Sequence, residues 1–207
     1  GAGICRALAA CGANLMINYF KHRENAESLA AELEKQYGIK AIAFPADIAS
    51  REAVVQMFAH FDGCFGRVDL LVNNAGCETV DHAVDLPLDD WDRVFDVNLR
   101  GAFICAQEAG KRMIRQNSGV IINISSIHDK VPRKGLVHYC AAKAGLNMMT
   151  KCLALELAAN HIRVLSVSPG AIETDMNREE IDAFGREKFN RWIPLGRVGV
   201  VDDIAWT

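Results

Sequence analysis

Short apolar runs alternate with longer amphipathic segments along almost the whole chain, and this alternation restricts the fold more than any other feature. The apolar runs, typical of β-strands buried on both faces, cover residues 14–19, 40–45, 68–73, 119–124 and 162–168. Helical periodicity covers residues 4–11, 24–37, 51–61, 89–116 and 139–160. Strands that alternate with helices in this way form a parallel sheet with helices on both faces. We therefore predict an α/β fold with a doubly wound parallel sheet.

The composition is that of an ordinary globular domain. The 207 residues are 50% hydrophobic, and 23 basic against 26 acidic side chains give a net charge of −3. This balance, without a long run of Lys and Arg, predicts binding neither to nucleic acid nor to an anionic membrane. No apolar run approaches the ~20 residues that cross a bilayer, and the N-terminus lacks the layout of a secretion signal. We expect a cytoplasmic protein with small-molecule partners, reduced cysteines and no metal site.

Tyr139 and Lys143 are four residues apart in a predicted helix, so the phenol and the ammonium lie on one helix face. A nearby ammonium favours the phenolate and is expected to lower the pKa of Tyr139 from about 10. A tyrosine of this kind can act as a general acid or base. Taken alone, the same spacing is common on helix surfaces and is compatible with a structural pair.

Polar and small residues follow two of the predicted strands, at the sheet edge where open α/β sheets bind their ligands. Ser125 and Ser126 follow the strand 119–124, and their hydroxyls can hydrogen-bond a substrate oxygen or merely cap a turn. The NNAG motif at 73–76 follows the preceding strand, and its small residues let a ligand approach the backbone. Asn98 lies inside a predicted helix, where asparagine is unfavourable by propensity. These residues are therefore candidates for a functional site.

Glycines and cations stand where a dinucleotide would bind. The motif GAGI at 1–4 opens a predicted helix, and the free amides of a helix N-terminus bind phosphate. The segment 19–23, with sequence YFKHR, supplies cations and no carboxylate. In dinucleotide-binding folds a carboxylate at this point reads the ribose 2′-hydroxyl of NAD, whereas cations accept the 2′-phosphate of NADP. The segment thus favours NADP, although a solvated basic turn has the same composition.

Together these motifs resemble the short-chain dehydrogenase/reductase family, and the resemblance runs from the first residue to the last. In chain order, the matching motifs are GAGI at 1–4, Asp47-Ile48, NNAG at 73–76, Asn98, ISS at 124–126, Tyr139 with Lys143, and Ser168-Pro169-Gly170 with Thr174. The resemblance implies a Rossmann-type fold and an NAD(P)-dependent oxidoreductase that acts on CH-OH groups. It also implies a homotetramer built partly by the helices around Asn98 and after Tyr139.

By this resemblance, Asn98, Ser126, Tyr139 and Lys143 form a catalytic tetrad. Tyr139 is the acid/base, and Lys143 lowers its pKa and holds the nicotinamide ribose. Ser126 positions the substrate oxygen, and Asn98 helps to order a water relay. The residues that the resemblance assigns to cofactor binding are Gly1, Gly3, Ile4, Tyr19, Lys21, Arg23, Asp47, Ile48, Asn74, Ala75, Gly76, Tyr139, Lys143, Pro169, Gly170, Ile172 and Thr174.

A narrower resemblance points to the glucose 1-dehydrogenase branch of the family. It is carried by SIH at 126–128, Pro132, VHY at 137–139, PGAI at 169–172 and IPLG at 193–196. It implies that Glu78 and His128 contact the substrate together with Ser126 and Tyr139. Without the narrower resemblance, Glu78 and His128 are equally well explained as exposed loop residues.

We therefore predict an NADP-preferring enzyme, with NAD as the alternative cofactor, that transfers a hydride between the hydroxyl of a sugar such as glucose and nicotinamide. The first alternative is a reductase of 3-oxoacyl thioesters or of other carbonyl compounds, which shares the tetrad. The second alternative is a dinucleotide-binding sensor without turnover. Such sensors often lose the Tyr or the Lys, and this chain has both.

Two expectations concern the organisation of the chain. We predict one domain over residues 1–207, within which 174–195 mixes charges and apolar residues and forms either a substrate lid or a surface helix pair. In register with the family, the printed chain begins inside the glycine turn and lacks the first and last strands. In the family the first strand lies at the centre of the sheet, and without it the strands on either side would keep unpaired backbone groups. We therefore expect this chain to be a portion of a longer one.

Overall fold

A computed structural model describes residues 1–174 and 178–207, and it has an α/β architecture in which parallel strands are flanked by helices. The strands are β1 (Leu15–Tyr19), β2 (Ala41–Pro45), β3 (Leu70–Asn73), β4 (Gly119–Ile124) and β5 (Ile162–Val167). Each lies within an apolar run that the sequence predicts as a strand. The predicted fold class is confirmed.

The helices of the described residues are α1 (Ala2–Ala10), α2 (Arg23–Tyr37), α3 (Arg51–Phe65), α4 (Leu88–Phe95), α5 (Ala102–Gln116), α6 (Val137–Leu157), α7 (Arg178–Phe184), α8 (Arg186–Arg191) and α9 (Val201–Ala205). A π-helical segment, Asp96–Gly101, joins α4 to α5. The single helix predicted over 89–116 is therefore interrupted by this segment. Within the described residues, no helix combines the length and the apolarity needed to cross a membrane.

The strands form two parallel groups. β1 pairs with β2, and β4 lies between β3 and β5. In the described part of the chain, no hydrogen-bonded ladder joins β1 to β3. The family resemblance puts the first strand of the sheet between these two strands. The carboxyl ends of the strands in each group point the same way, so the loops after β3, β4 and β5 meet at one edge.

The larger core lies between the β3-β4-β5 group and the helices α3 and α5. Val54, Ala109, Met113 and Ile121 are fully buried there. A buried polar chain also crosses this region, because Asn73 Nδ2 donates to Asn123 Oδ1 at 2.9 Å and Asn123 Nδ2 donates to a threonine hydroxyl of α6 at 2.9 Å. These bonds tie β3, β4 and α6 together. They hold in place the strand ends from which the loops at the sheet edge begin.

The π-helical segment brings a glycine against the loop after β2. A Cβ atom at Gly101 would lie 2.8 Å from the carbonyl oxygen of Ile48, which is closer than real Cβ contacts allow. Arg100, the preceding residue, donates to the carbonyl oxygen of Ala49 at 2.9 Å. The loop that carries Asp47 and Ile48 is therefore held by direct backbone contact with the segment that carries Asn98.

Candidate active site

Three elements bring the predicted tetrad together at the edge of the sheet. Ser126 follows β4, Tyr139 and Lys143 lie on α6, and Asn98 lies in the π-helical segment. All four side chains are buried, with exposed fractions from 1% for Asn98 to 9% for Tyr139. Buried polar groups of this kind need partners, and the contacts that they make indicate the role of each.

Ser126 is hydrogen-bonded to the phenol of Tyr139. Its hydroxyl also accepts a hydrogen bond from the backbone amide of His128 at 3.2 Å. Ser125, in contrast, donates to the carbonyl oxygen of Lys143 at 3.2 Å and packs inward. The structure therefore separates the two serines that the sequence presents as a pair, and it is Ser126 that meets Tyr139.

The pKa of Tyr139 differs from the sequence-based prediction. Burial raises it to about 12, and the negative charge of Glu78 acts in the same direction, while the hydrogen bond with Ser126 lowers it. Lys143 Nζ lies 5.6 Å from the centroid of the Tyr139 ring. The predicted lowering of this pKa by Lys143 is therefore wrong for the protein alone, because desolvation of the buried phenol dominates.

Lys143 is itself strongly desolvated. Burial lowers its pKa from 10.5 to about 8. Nζ donates to the carbonyl oxygen of Ile124 at 2.9 Å, and an ammonium has two further donors. Lys143 can therefore hold a second acceptor, such as a ribose hydroxyl, from a fixed position beside Tyr139.

Asn98 is held by its amide nitrogen and leaves its amide oxygen available. Nδ2 donates to the carbonyl oxygens of Cys77 at 2.7 Å and Val94 at 2.9 Å, whereas Oδ1 is buried without a partner among the described residues. A Cβ atom at Gly76 would lie 2.7 Å from this Oδ1 and 3.6 Å from Lys143 Nζ. An unsatisfied acceptor and a cation thus face the same small space, which only glycine leaves open. Both fit a water-mediated contact between Asn98 and Lys143.

The residues assigned to the cofactor, except for Arg23, line one cavity that also contains the tetrad. They are Gly1, Gly3, Ile4, Tyr19, Lys21, Asp47, Ile48, Asn74, Ala75, Gly76, Tyr139, Lys143, Pro169, Gly170, Ile172 and Thr174. α1 begins at Ala2, directly after Gly1, and the amides of a helix N-terminus can bind a phosphate. The small residues, this helix N-terminus and the Asn98 oxygen fit a nicotinamide dinucleotide.

Arg23 is the exception. It is the first residue of α2, and its Nε donates to Glu27 at 2.8 Å on the surface of that helix. Two residues that the sequence analysis did not select lie in this part of the cavity. Phe20 lines the cavity, and Arg93 of α4 reaches both its ring and Asp47. Nothing in the local pattern marks Arg93, because it is far from Asp47 in the chain.

At the opposite end, Glu78 and His128 line the cavity beside Tyr139. The segment that carries Glu78 is tied to the start of α6, because the Thr79 hydroxyl and His138 Nε2 share a hydrogen bond of 2.9 Å. His138 is fully buried, and the sequence analysis missed its contact with Thr79 because it joins two segments distant in the chain. These contacts place Glu78 near the phenol of Tyr139.

Asp129 links the ends of β4 and β5 to α6. Its Oδ2 accepts from Ser168 at 2.7 Å, from Asn147 at 2.9 Å and from Ser125 at 3.3 Å. Ser168 directly precedes Pro169, and Ser125 directly precedes Ser126. Asp129 therefore fixes the chain next to Pro169 and next to Ser126, and the sequence analysis did not select it.

The predicted lid at 174–195 includes residues 175–177, which lie outside the described residues. The described part forms α7 and α8, and Ile181 and Phe189 pack with Val198 in a small core of their own. Phe184, Trp192 and Leu195 line the cavity. This part of the chain is therefore a helix pair that borders the site.

The fold and the site are those of an oxidoreductase that binds a nicotinamide dinucleotide. The sequence model of the family described as short chain dehydrogenase matches residues 1–183. The chain therefore belongs to the short-chain dehydrogenase/reductase family, whose members use NAD(P), and it is an NAD(P)-dependent oxidoreductase acting on CH-OH or carbonyl groups. The family assignment that the sequence motifs suggest is confirmed.

Similar proteins of this family differ in their named substrates. The chain is 39% identical to 3beta-hydroxysteroid dehydrogenase 1 of Eggerthella lenta, over 99% of this chain and 79% of that protein. It is also 39% identical to a 3-oxoacyl-(acyl-carrier-protein) reductase of Staphylococcus aureus, over 100% of this chain and 83% of that protein. A gluconate 5-dehydrogenase from Burkholderia cenocepacia, solved in complex with NADP and tartrate, superposes with a TM-score of 0.92 at 32% identity, covering 100% of this chain and 81% of that one.

Proposed function

We propose that this protein is an NADP-preferring dehydrogenase that transfers a hydride between a sugar hydroxyl and nicotinamide, as glucose 1-dehydrogenases do. The observation that carries the proposal is the carboxylate of Glu78, whose charge acts on the phenol of Tyr139 inside the cavity. A carboxylate beside the reacting position binds the hydroxyl groups of a polyol. It is poorly suited to an acyl chain, because burying a charge against apolar groups is unfavourable.

In the proposed reaction, the bound nicotinamide supplies the hydride acceptor or donor. Ser126 holds the substrate oxygen next to Tyr139, and Tyr139 takes the hydroxyl proton in oxidation or returns it in reduction. Because burial raises the pKa of Tyr139 to about 12, the phenol is protonated at neutral pH in the protein alone. Oxidation requires its deprotonated form, so the rate of oxidation increases with pH below that value. A water molecule between Asn98 and Lys143 would carry the proton away.

His128 adds a second polar group suited to a sugar. Its Nδ1 lies 2.8 Å from the carbonyl oxygen of Val131, so Nδ1 carries the proton of the neutral ring. Nε2 is then an acceptor, and a sugar hydroxyl can donate to it. Glu78 and His128 both line the cavity, so each can accept a hydrogen bond from a hydroxyl of a bound sugar.

The preference for NADP rests on the cations at the adenosine end of the cavity. Lys21 lies beside the exposed ring of Phe20 and lines the cavity. Asp47, one of the carboxylates that line the cavity, is already bonded to Arg93 at 3.0 Å. A 2′-phosphate therefore meets positive charge there. The gluconate 5-dehydrogenase that this chain resembles was crystallised with NADP.

A second candidate, reduction of 3-oxoacyl thioesters or other apolar carbonyl compounds, is favoured by a different observation. Trp192 and Leu195 are 67% and 81% exposed and line the cavity. An acyl chain or a steroid would cover these side chains. Two similar proteins carry the names of such activities.

One assay separates these functions. The purified protein is given glucose with NADP, glucose with NAD, and an acetoacetyl thioester with NADPH. We expect kcat/KM for glucose with NADP to exceed each of the others by about tenfold or more. Faster turnover of the thioester would replace the sugar proposal, and a preference for NAD would contradict the cofactor proposal. Binding of NADPH without turnover of any of a panel of sugars and ketones would indicate a sensor.

We also propose that the protein is a cytoplasmic homotetramer, in which residues 1–207 act as one domain and 174–195 covers the substrate. Phe103 on α5 is exposed and lines a mostly apolar surface groove with Phe95, Leu99, Gly145 and Met149, and Asp96 and Arg100 also line this groove. A helix face of this kind suits contact with a second copy. Light scattering is expected to give four times the chain mass, and a monomeric mass would contradict the proposal.

A further inference from the structure

The aromatic ring of Phe20 stands at the adenosine end of the cavity. Phe20 follows β1 directly and is 54% exposed, although a phenylalanine gains free energy from burial. It lines the same cavity as the glycines of α1 and the residues after β2. A flat, exposed ring in this position offers a surface on which a purine base can stack.

Two cations lie against this ring. The guanidinium carbon of Arg93 is 5.3 Å from the ring centroid, and Lys21 Nζ is 5.9 Å from it. Arg93 is further anchored, because its Nη1 donates to Asp47 Oδ2 at 3.0 Å. Since Asp47 Oδ1 accepts from the amide of Ala49 at 3.0 Å, the carboxylate is itself fixed. Arg93 is therefore held in place by an aromatic ring on one side and a rigid carboxylate on the other.

The guanidinium keeps donors for a ligand. In the described part of the chain, Arg93 donates to Asp47 through Nη1, so Nη2 and Nε can donate to a bound anion. A guanidinium presents such donors in a planar fork that matches a phosphate. Arg93 also neutralises the carboxylate of Asp47, which would otherwise repel a phosphate. Arg23 does neither, because it pairs with Glu27 outside the cavity.

We infer that Arg93, together with Lys21 and on the platform of Phe20, binds the 2′-phosphate of the cofactor and determines the preference for phosphorylated adenosine. This inference rests on the proposed use of NADP and names the residues responsible for it. It assigns to a residue of α4 the role that the sequence analysis gives to Arg23.

The test measures binding of adenosine fragments, which needs neither substrate nor turnover. Calorimetry with 2′,5′-ADP and with 5′-AMP is compared for the wild type, R93Q and R100Q. Arg100 is the matched control because it bonds Ala49 in the same loop but does not line the cavity. We expect R93Q to weaken binding of 2′,5′-ADP by about tenfold or more and to leave binding of 5′-AMP within about twofold. R100Q should change the ratio of the two affinities little.

Other outcomes contradict the inference in distinguishable ways. Equal losses for both ligands in R93Q would show that Arg93 serves only to fix Asp47. If the ratio of the affinities for 2′,5′-ADP and 5′-AMP is unchanged in R93Q and lower in R23Q, then Arg23 and not Arg93 recognises the 2′-phosphate. A wild type that binds both ligands equally would overturn the proposed NADP preference and this inference together. If R93Q does not fold, R93K is used, and it should keep the charge and lose part of the preference, because the planar fork is gone.

Discussion

Replacing Tyr139 with phenylalanine is expected to lower kcat by about a thousandfold while leaving the Kd for NADP within about twofold. The phenol is the group that bonds Ser126 inside the cavity, and it is buried with its pKa raised to about 12. The substitution removes the proton-carrying oxygen and keeps the ring. Cofactor affinity depends mainly on groups elsewhere in the cavity, so the loss should fall on the chemical step.

Tyr37→Phe is the matched control for this variant. The Tyr37 hydroxyl accepts a hydrogen bond from Gln36 at 3.1 Å near the end of α2, and it does not line the cavity. Its removal should leave both kcat and the Kd for NADP unchanged. A Tyr139→Phe enzyme that retains a tenth or more of the wild-type kcat would show that another group carries the proton.

Replacing Lys143 with methionine is expected to reduce kcat by about a hundredfold or more and, at the same time, to stabilise the protein alone at pH 7. Burial lowers the pKa of Lys143 from 10.5 to about 8. Each pKa unit corresponds to about 1.4 kcal/mol, and the lost hydrogen bond to Ile124 offsets about 1 kcal/mol of the gain. The free energy of unfolding should therefore rise by about 2 kcal/mol.

The pH dependence of this gain has a definite sign. Between pH 8 and 10.5 the unfolded chain binds the Lys143 proton and the folded chain does not, so this group makes the wild-type stability rise with pH in that window. The methionine variant lacks this contribution, so its advantage should be largest below pH 8 and should shrink toward pH 10. Urea unfolding at pH 7 and pH 9.5 measures the difference.

Lys151→Met supplies the control, because Lys151 lies on the exposed side of the same helix. It should change neither activity nor the pH dependence of stability. A Lys143→Met protein that is less stable than the wild type at pH 7 would show that the charged ammonium is well solvated or paired in the folded state.

The predicted strands and most of the helices agree with the structure because their signals are local. Runs such as 119–124 are apolar throughout, and a strand covered on both faces requires that pattern. The prediction of one continuous helix over 89–116 was wrong. Its apolar period persists through the π-helical segment Asp96–Gly101, so periodicity alone does not show the extra residue in the turn. Only the unfavourable Asn98 hinted at it.

The resemblance to the family names the four residues of the tetrad, and their catalytic roles stay predictions. The sequence did not show their electrostatics, because the pKa of Tyr139 depends on how deeply the segments around it bury the phenol. The helical spacing to Lys143 predicts a lowered pKa, and burial reverses the sign. Asp129 and His138 were missed for a related reason, since their partners come from distant parts of the chain.

The sequence by itself determined the α/β class, which follows from short-range periodicity, and the family, which follows from the order of its motifs. Only the tertiary structure decided where the cations lie in the cavity. Arg23 and Lys21 are neighbours in sequence, yet α2 turns Arg23 to its surface, and α4 brings Arg93 to Asp47 from 46 residues away. Charge and burial act through space, so the electrostatics of a site are fixed by the packing of its elements.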